Sequence, residues 1–230
     1  MKKSKEQWKK IFSDAKNGHI LWDGKAENPY DPDHAYTSAH RFLEHALYLG
    51  FFRTGNKVLD LGCGNGRLGI SLSDLDIEYQ GLDPMLPCIE FAKKAFEDFP
   101  KMHFNHQDIY SAISNPTGTI KPEYYKLPFP DDYFDDVICY SVFTHLERLE
   151  VALNYMSEIK RVLKDGGKFF ITCYRSPPDP NPYSGGERTV YLESDLMNML
   201  NGFQFLYTYG GHVDKKQEYY DQWGLFCTKL

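Results

Sequence analysis

No stretch of the 230-residue chain approaches the roughly 20 consecutive apolar residues that a membrane-crossing helix needs, so no membrane partner is expected. Positive charge is not in surplus either. Lys and Arg number 26 against 32 Asp and Glu, a formal net charge of −6. That balance lacks the broad attraction to phosphate backbones on which most nucleic-acid binders rely, and no nucleic-acid partner is expected. The five cysteines, Cys63, Cys88, Cys139, Cys173 and Cys227, are widely spaced and form no CxxC pair of the zinc or dithiol kind. Buried free thiols and no metal follow as expectations. The basic opening MKKSKEQWKK is not followed by an apolar run of signal-peptide length, which points to a cytoplasmic location. A GxxxxGK[ST] string is missing, as are internal repeats and low-complexity tracts.

What is present is an alternation. Short runs rich in β-branched and aromatic residues, at 57–61, 78–82, 103–106, 136–140 and 168–174, are separated by segments of helical periodicity. This is the pattern of strand-helix units building a mainly parallel sheet. Helices are predicted at 67–73, at 85–99 with Ile89, Ala92, Phe96 and Phe99 on one face, and at 147–164, where "KDGG" supplies a stop. Beyond the fifth strand, "YLESDLMNMLNGF" reads as a helix, and "FQFLYTY" and "WGLFCTKL" as an antiparallel closing pair, giving seven strands. Residues 1–50 carry two helical patterns, one around Trp8, Ile11, Phe12 and Ala15 and one over 35–49, read as an N-terminal helical cap or lid on a domain of residues 51–230. The proline- and glycine-bearing stretches 110–127 and 175–191 are long for connections inside a compact domain and read as insertions of lid or binding-loop type.

The densest signal is "VLDLGCGNGRLGI", residues 58–70. A dinucleotide turn wants GxGxxG. Gly62 and Gly64 fit its first two places, but the third falls on Arg67 and the remaining glycine comes one position early, at Gly66. The string instead resembles the first motif of class I S-adenosylmethionine-dependent methyltransferases, D/E-x-G-x-G-x-G, over Asp60, Gly62, Gly64 and Gly66. The resemblance implies a Rossmann-like, doubly wound α/β fold with S-adenosyl-L-methionine as cofactor. The Gly62-Cys63-Gly64 backbone would bend beneath its methionine portion and Asp60 would face its amino group. "YQGLDPM" places Asp83 where this family sets an acid on the ribose hydroxyls, with Pro84 and Met85 beside it; capping of the following helix is the alternative role of Asp83. "HFNHQDIY" matches the third-strand end, implying Asp108 for the adenine amino group and the Ile109 N–H for the ring, against the plainer reading of a turn aspartate.

"LPFPDDYFDDVICYSVFTHL" resembles the fourth motif of the subfamily that includes the ubiquinone-biosynthesis enzymes, the type 11 methyltransferases. Its "LPF" stands farther from Asp108 than the family pattern has it, so an insertion separates the third and fourth strands. Tyr140 and Ser141 would line the cofactor. Asp131 and Asp132 read as a turn.

Methyl transfer from a sulfonium is an in-line displacement, so the protein must align the acceptor and, for a hydroxyl or ammonium, remove a proton. His145, just beyond the fourth strand, is the first candidate base, with His212 the second; a structural role at the start of the long helix is the alternative for His145. Tyr30, Tyr36, Tyr174, Arg175, Tyr183, Arg188 and Tyr191 are candidates to close over a small acceptor. The expected function is O-methylation of a small hydroxylated metabolite or sugar. N-methylation, and cofactor binding without catalysis, are the alternatives. Monomer and homodimer are both compatible with the sequence.

Overall fold

The structure, a computed structural model, describes residues 2–17, 32–146, 148–175, 189–210 and 222–230. Tyr30, Tyr183, Arg188, His212 and most of the 175–191 stretch lie outside the described residues. The chain packs as two compact units, residues 1–119 and 120–230.

The first unit opens with α1 (Lys5–Asn17) and α2 (Pro32–Tyr48), followed by β1 (Lys57–Leu61), α3 (Gly69–Leu72), β2 (Glu78–Asp83), α4 (Leu86–Ala95) and β3 (Met102–His106). The strands are parallel, in the order β3-β2-β1, with Asp60 opposite Gly81 and Gly81 opposite Phe104. β1 is buried from Val58 to Leu61, the acid Asp60 included, as expected of a strand covered on both faces. The amino-terminal helices are packed into this unit. Trp8 and Phe12 are buried, with Trp8 4.9 Å from Phe96 and 5.7 Å from Phe99, and Phe12 5.4 Å from Phe91. α2 buries Ala35, Ala39, Phe42 and Ala46. Its Ala39 carbonyl accepts the Ser71 hydroxyl of α3 at 3.0 Å.

Two helices of this unit are shorter than predicted. The turn after β1 runs on to Leu68, so only Gly69–Leu72 are helical where 67–73 was expected. α4 ends at Ala95 because Phe96 leaves helical geometry (φ −109°, ψ 16°), and Phe96 and Phe99 then meet Trp8.

The second unit holds a single-turn 3-10 segment at Pro122–Tyr124, β4 (Phe134–Cys139), a second 3-10 turn at Phe143–His145, α5 (Leu149–Val162), β5 (Leu163–Arg175), β6 (Val190–Tyr191), α6 (Glu193–Met199), β7 (Phe203–Gly210) and β8 (Gln222–Lys229). β4 and β5 are parallel, and β8 joins β5 and β7 by antiparallel pairing, as the sequence indicated. The short β6, parallel to the end of β5, is an eighth strand that the sequence reading did not include. The "KDGG" stretch does not stop the helix but lies within β5. Leu163 already pairs with Phe134, and residues 164–167 bulge opposite the single Asp135. Gly167 makes this possible, because a Cβ there would stand 2.7 Å from the Leu163 side chain and from the Lys164 carbonyl.

The "LPFPDD" stretch is strapped to α5 by charge. Arg161 donates to the carbonyls of Leu127 (3.0 Å) and Phe129 (2.8 Å) and pairs with Glu158 and Asp131, while the Leu127 N–H donates to Glu158 at 2.7 Å. Burial would raise the Glu158 carboxyl, but the bonds from Arg161 and Leu127 bring it below its ordinary value. Asp132 sits in the turn (φ 51°), as read from the sequence. All five cysteines are buried free thiols. Among the described residues, no helix is long and apolar enough to cross a membrane.

Candidate active site

The glycine turn of the first unit is closed upon itself. The N–H groups of Gly62 and Cys63 both donate to the Leu82 carbonyl (2.7 and 3.1 Å). That of Gly66 donates to the Cys63 carbonyl (3.0 Å), and that of Gly64 to Oδ2 of Asp83 (2.8 Å). A phosphate-cradling loop works by aiming such N–H groups at its ligand. Here these four are already engaged, which disfavours a nucleotide phosphate. Gly66 (φ +83°) is dictated from below, where a Cβ would stand 2.8 Å from the Phe96 ring and 3.1 Å from that of Phe104. Gly64 (φ +54°) differs: nothing stands within 4 Å of where its Cβ would be. The turn is packed against protein on its Gly66 side and open above Gly64.

Two buried carboxylates flank it. Asp60 is 1 % exposed. Its Oδ2 accepts the Tyr79 hydroxyl at 2.6 Å, while its Oδ1 is buried and has no partner. Burial lifts this carboxyl from its ordinary 3.8 to about 7; the Tyr79 bond opposes the rise, the Asp83 charge adds to it and Arg67 offsets it. Asp83 is 9 % exposed. Its Oδ1 accepts the Met85 N–H and its Oδ2 the Gly64 N–H, both at 2.8 Å. Burial raises it too, against those two bonds and the nearby His106. Two acids held in low dielectric with one oxygen unmatched make a site that favours a cation bearing hydrogen-bond donors. Asp83 thus caps the α4 entry and ties it to the glycine turn, and its oxygens keep further lone pairs for a second donor.

The remaining first-unit candidates have plainer surroundings. Cys63 is buried, its Sγ–H directed at the Gly64 carbonyl (3.6 Å), and burial together with Asp83 and Asp60 pushes the thiol up. The Pro84 carbonyl accepts from the His106 ring (3.0 Å), and Met85 Sδ accepts from Cys88 (3.1 Å). Asp108 is used by the loop that follows it. Its Oδ2 accepts the Thr119 hydroxyl (2.5 Å) and N–H (3.2 Å), its Oδ1 the Asn115 amide (3.1 Å), and these bonds hold it below its ordinary value. The Ile109 N–H turns back to the Gln107 carbonyl at 2.7 Å instead of standing available to a ring. Gly118 lies so close that a Cβ would stand 2.5 Å from the Ile109 carbonyl.

In the second unit, Tyr140 and Ser141 follow β4. Ser141 adopts φ 61°, a conformation that non-glycine residues rarely hold without support. Its N–H donates to the Thr172 hydroxyl of β5 at 2.6 Å. His145 is half-buried at the end of the 3-10 turn, its N–H bonded to the Val142 carbonyl at 2.9 Å. That turn is pinned by the Thr189 N–H on Thr144 (2.8 Å) and the Tyr191 hydroxyl on Phe143 (2.9 Å). Tyr191, expected to face an acceptor, is fully buried in this structural role.

Comparison with known proteins adds what geometry does not. The methyltransferase domain family matches residues 59–171. A protein of Encephalitozoon cuniculi named as a methyltransferase, ECU09_1500, is 30% identical over 179 residues, 76% of this chain and 71% of that one. The chain belongs to the class I S-adenosylmethionine-dependent methyltransferases. The uncharacterized methyltransferase YcgJ of Bacillus subtilis is 29% identical over 128 residues, 56% of this chain and 44% of its own. The chain spans less than half the length of several curated relatives that it matches, YcgJ among them. In fold, it superposes on the crystal structure of the [4+2]-cyclase SpnF with a TM-score of 0.63 at 15% identity, covering 97% of this chain and 93% of that one.

The cofactor of this family is S-adenosylmethionine, and the first unit fits it: the unmatched Oδ1 of Asp60 suits an ammonium, and the open side of Gly64 admits a ligand without collision. Sequence reasoning missed Tyr79 and Thr172, the partners of Asp60 and Ser141. The glycine of "YQG" leaves the Tyr79 ring a path to the neighbouring strand, but the bond follows only from the register that sets Gly81 opposite Asp60.

Proposed function

We propose that this methyltransferase-family chain transfers a methyl group from S-adenosylmethionine to a small-molecule acceptor, with a hydroxyl oxygen as the first acceptor and a nitrogen as the second. The buried, unmatched carboxylate oxygen of Asp60 beside an open glycine turn carries the reading of the cofactor. Curated relatives named as a sterol 24-C-methyltransferase and a ubiquinone biosynthesis O-methyltransferase support an organic small-molecule acceptor.

Bound S-adenosylmethionine would supply an activated methyl on sulfur, and the chain supplies position. Asp60 would hold the amino group through Oδ1. Asp83 would take the ribose diol on lone pairs not used by Gly64 and Met85. Asp108 and Ile109 are proposed for the adenine end of the cofactor, as the motif resemblance implies, and Tyr140 and Ser141 are carried over from the fourth motif as further proposed cofactor-lining residues. His145 is the proposed base that removes the acceptor proton, with His212 as second candidate.

Calorimetric titration with S-adenosylmethionine and its demethylated product tests the cofactor. Binding of both is expected, and binding of neither would overturn the reading. Release of labelled methyl to a panel of hydroxylated sugars, phenols and phosphorylated metabolites then identifies the acceptor. His145→Ala is expected to lower turnover by roughly 10²- to 10⁴-fold with cofactor affinity kept. A loss below that range removes His145 as the base.

A further inference from the structure

We propose that Tyr79 is a positioning residue for the cofactor's amino group: its hydroxyl occupies Oδ2 of Asp60, favours the ionised carboxylate, and so presents Oδ1 as a charged acceptor. This rests on the methyltransferase reading above. Val58 pairs with Tyr79 and Asp60 with Gly81, so Tyr79 and Asp60 lie on one face of adjacent parallel strands, two residues out of step. The space opposite Asp60 belongs to Gly81, and the Tyr79 ring runs beside it, with Cε1 3.1 Å from where a Gly81 Cβ would be. The ring is fully buried and lies 5.3 Å from Phe104, which fixes the direction of its hydroxyl.

Among the described residues Tyr79 is the only hydrogen-bond donor to this carboxylate. The other groups that face Asp60 are Asp83, at the end of the same strand as Tyr79, and Arg67, beyond the glycine turn; the Cys63 thiol in the turn also feels both acids. Asp83 opposes ionisation and Arg67 favours it without a bond to Asp60. Burial pushes the Tyr79 phenol far up, so it remains a donor throughout the working range of pH. A hydrogen bond to an ionised group is among the stronger ones, and removing it selectively destabilises the charged form.

The experiment measures S-adenosylmethionine affinity by calorimetry for wild type and Tyr79→Phe from pH 6 to pH 9. Taking the ratio of the two dissociation constants at each pH cancels the titration of the ligand's own amino group. The ratio is expected to be roughly tenfold at pH 6 and to approach one at pH 9, where Asp60 is ionised in both proteins. In an Asp60→Asn background the pH dependence of the Tyr79→Phe effect should vanish. A ratio that stays constant with pH, or a pH dependence that survives in the Asn background, overturns the proposal and indicates a packing role only. Absence of binding by wild type at every pH overturns the methyltransferase reading instead. Should Tyr79→Phe not fold, 3-fluorotyrosine introduced at position 79 keeps the ring and strengthens the donor. The acid limb of the binding curve should then move to lower pH than in wild type, and an unmoved limb overturns the proposal.

Discussion

Replacing Asp60 by Asn should make the ligand-free protein more stable, and more so as pH rises. Asp60 carries its carboxyl at about 7 in the folded chain against an ordinary 3.8. A carboxyl raised by folding favours the folded state when protonated, and that advantage is lost as pH climbs from the unfolded to the folded value. Three units correspond to about 4 kcal/mol in full, of which about 2–3 kcal/mol accrues between pH 5 and pH 8. Asn keeps the shape and an oxygen for the Tyr79 hydroxyl, and it cannot ionise. Urea denaturation of both proteins at pH 5 and pH 8, free of cofactor, is the assay. The stability advantage of Asp60→Asn over wild type should widen by those 2–3 kcal/mol at the higher pH. Meanwhile its affinity for S-adenosylmethionine should fall by ten-fold or more, the loss of a charged hydrogen bond. An advantage that does not change with pH would refute the argument, because it would mean that Asp60 is not the titrating group. The trade is the familiar one in which a binding site is maintained at the expense of stability.

The two glycines of the turn should separate by readout. Gly66→Ala meets the Phe96 and Phe104 rings at a positive φ and should cost about 2–4 kcal/mol of stability, whereas Gly64→Ala should cost about 1–2 kcal/mol and instead weaken cofactor binding. Equal losses of stability would count against a turn packed on one side only. Thr172→Val leaves the strained Ser141 N–H without its acceptor and should lower stability by about 1–3 kcal/mol in thermal or chemical unfolding, with Thr172→Ser restoring it. Arg161→Met should cost about 2 kcal/mol and speed proteolysis within 127–131, since it unties the Leu127 and Phe129 carbonyls together.

The elements built on local patterns were legible. β1 and the glycine turn could be read because one short string encodes a buried strand and its bend, and the alternative capping role of Asp83 because a carboxylate two residues before the Met85 N–H is a local arrangement. What escaped depends on register. The Tyr79 bond to Asp60 needs β1 and β2 aligned with Gly81 opposite the acid, and no periodicity announces that alignment. The helix stop expected from "KDGG" failed because those residues bulge out of a strand pair, a choice set by Phe134 and Leu163 meeting across the sheet. Asp108 was assigned by position in a motif, but the following eleven residues supply Asn115 and Thr119 to its oxygens, and spacing alone could not reveal that claim.

The ring stack that begins at Trp8 does not end in α4. Phe96, which Trp8 touches, is also the floor beneath Gly66. The first helix is therefore a mechanical brace for a bend more than fifty residues downstream. Slack introduced at α1 by a cut or a bulky fusion would be felt at the turn proposed for the cofactor, and hydrogen exchange should slow in both places together on addition of S-adenosylmethionine.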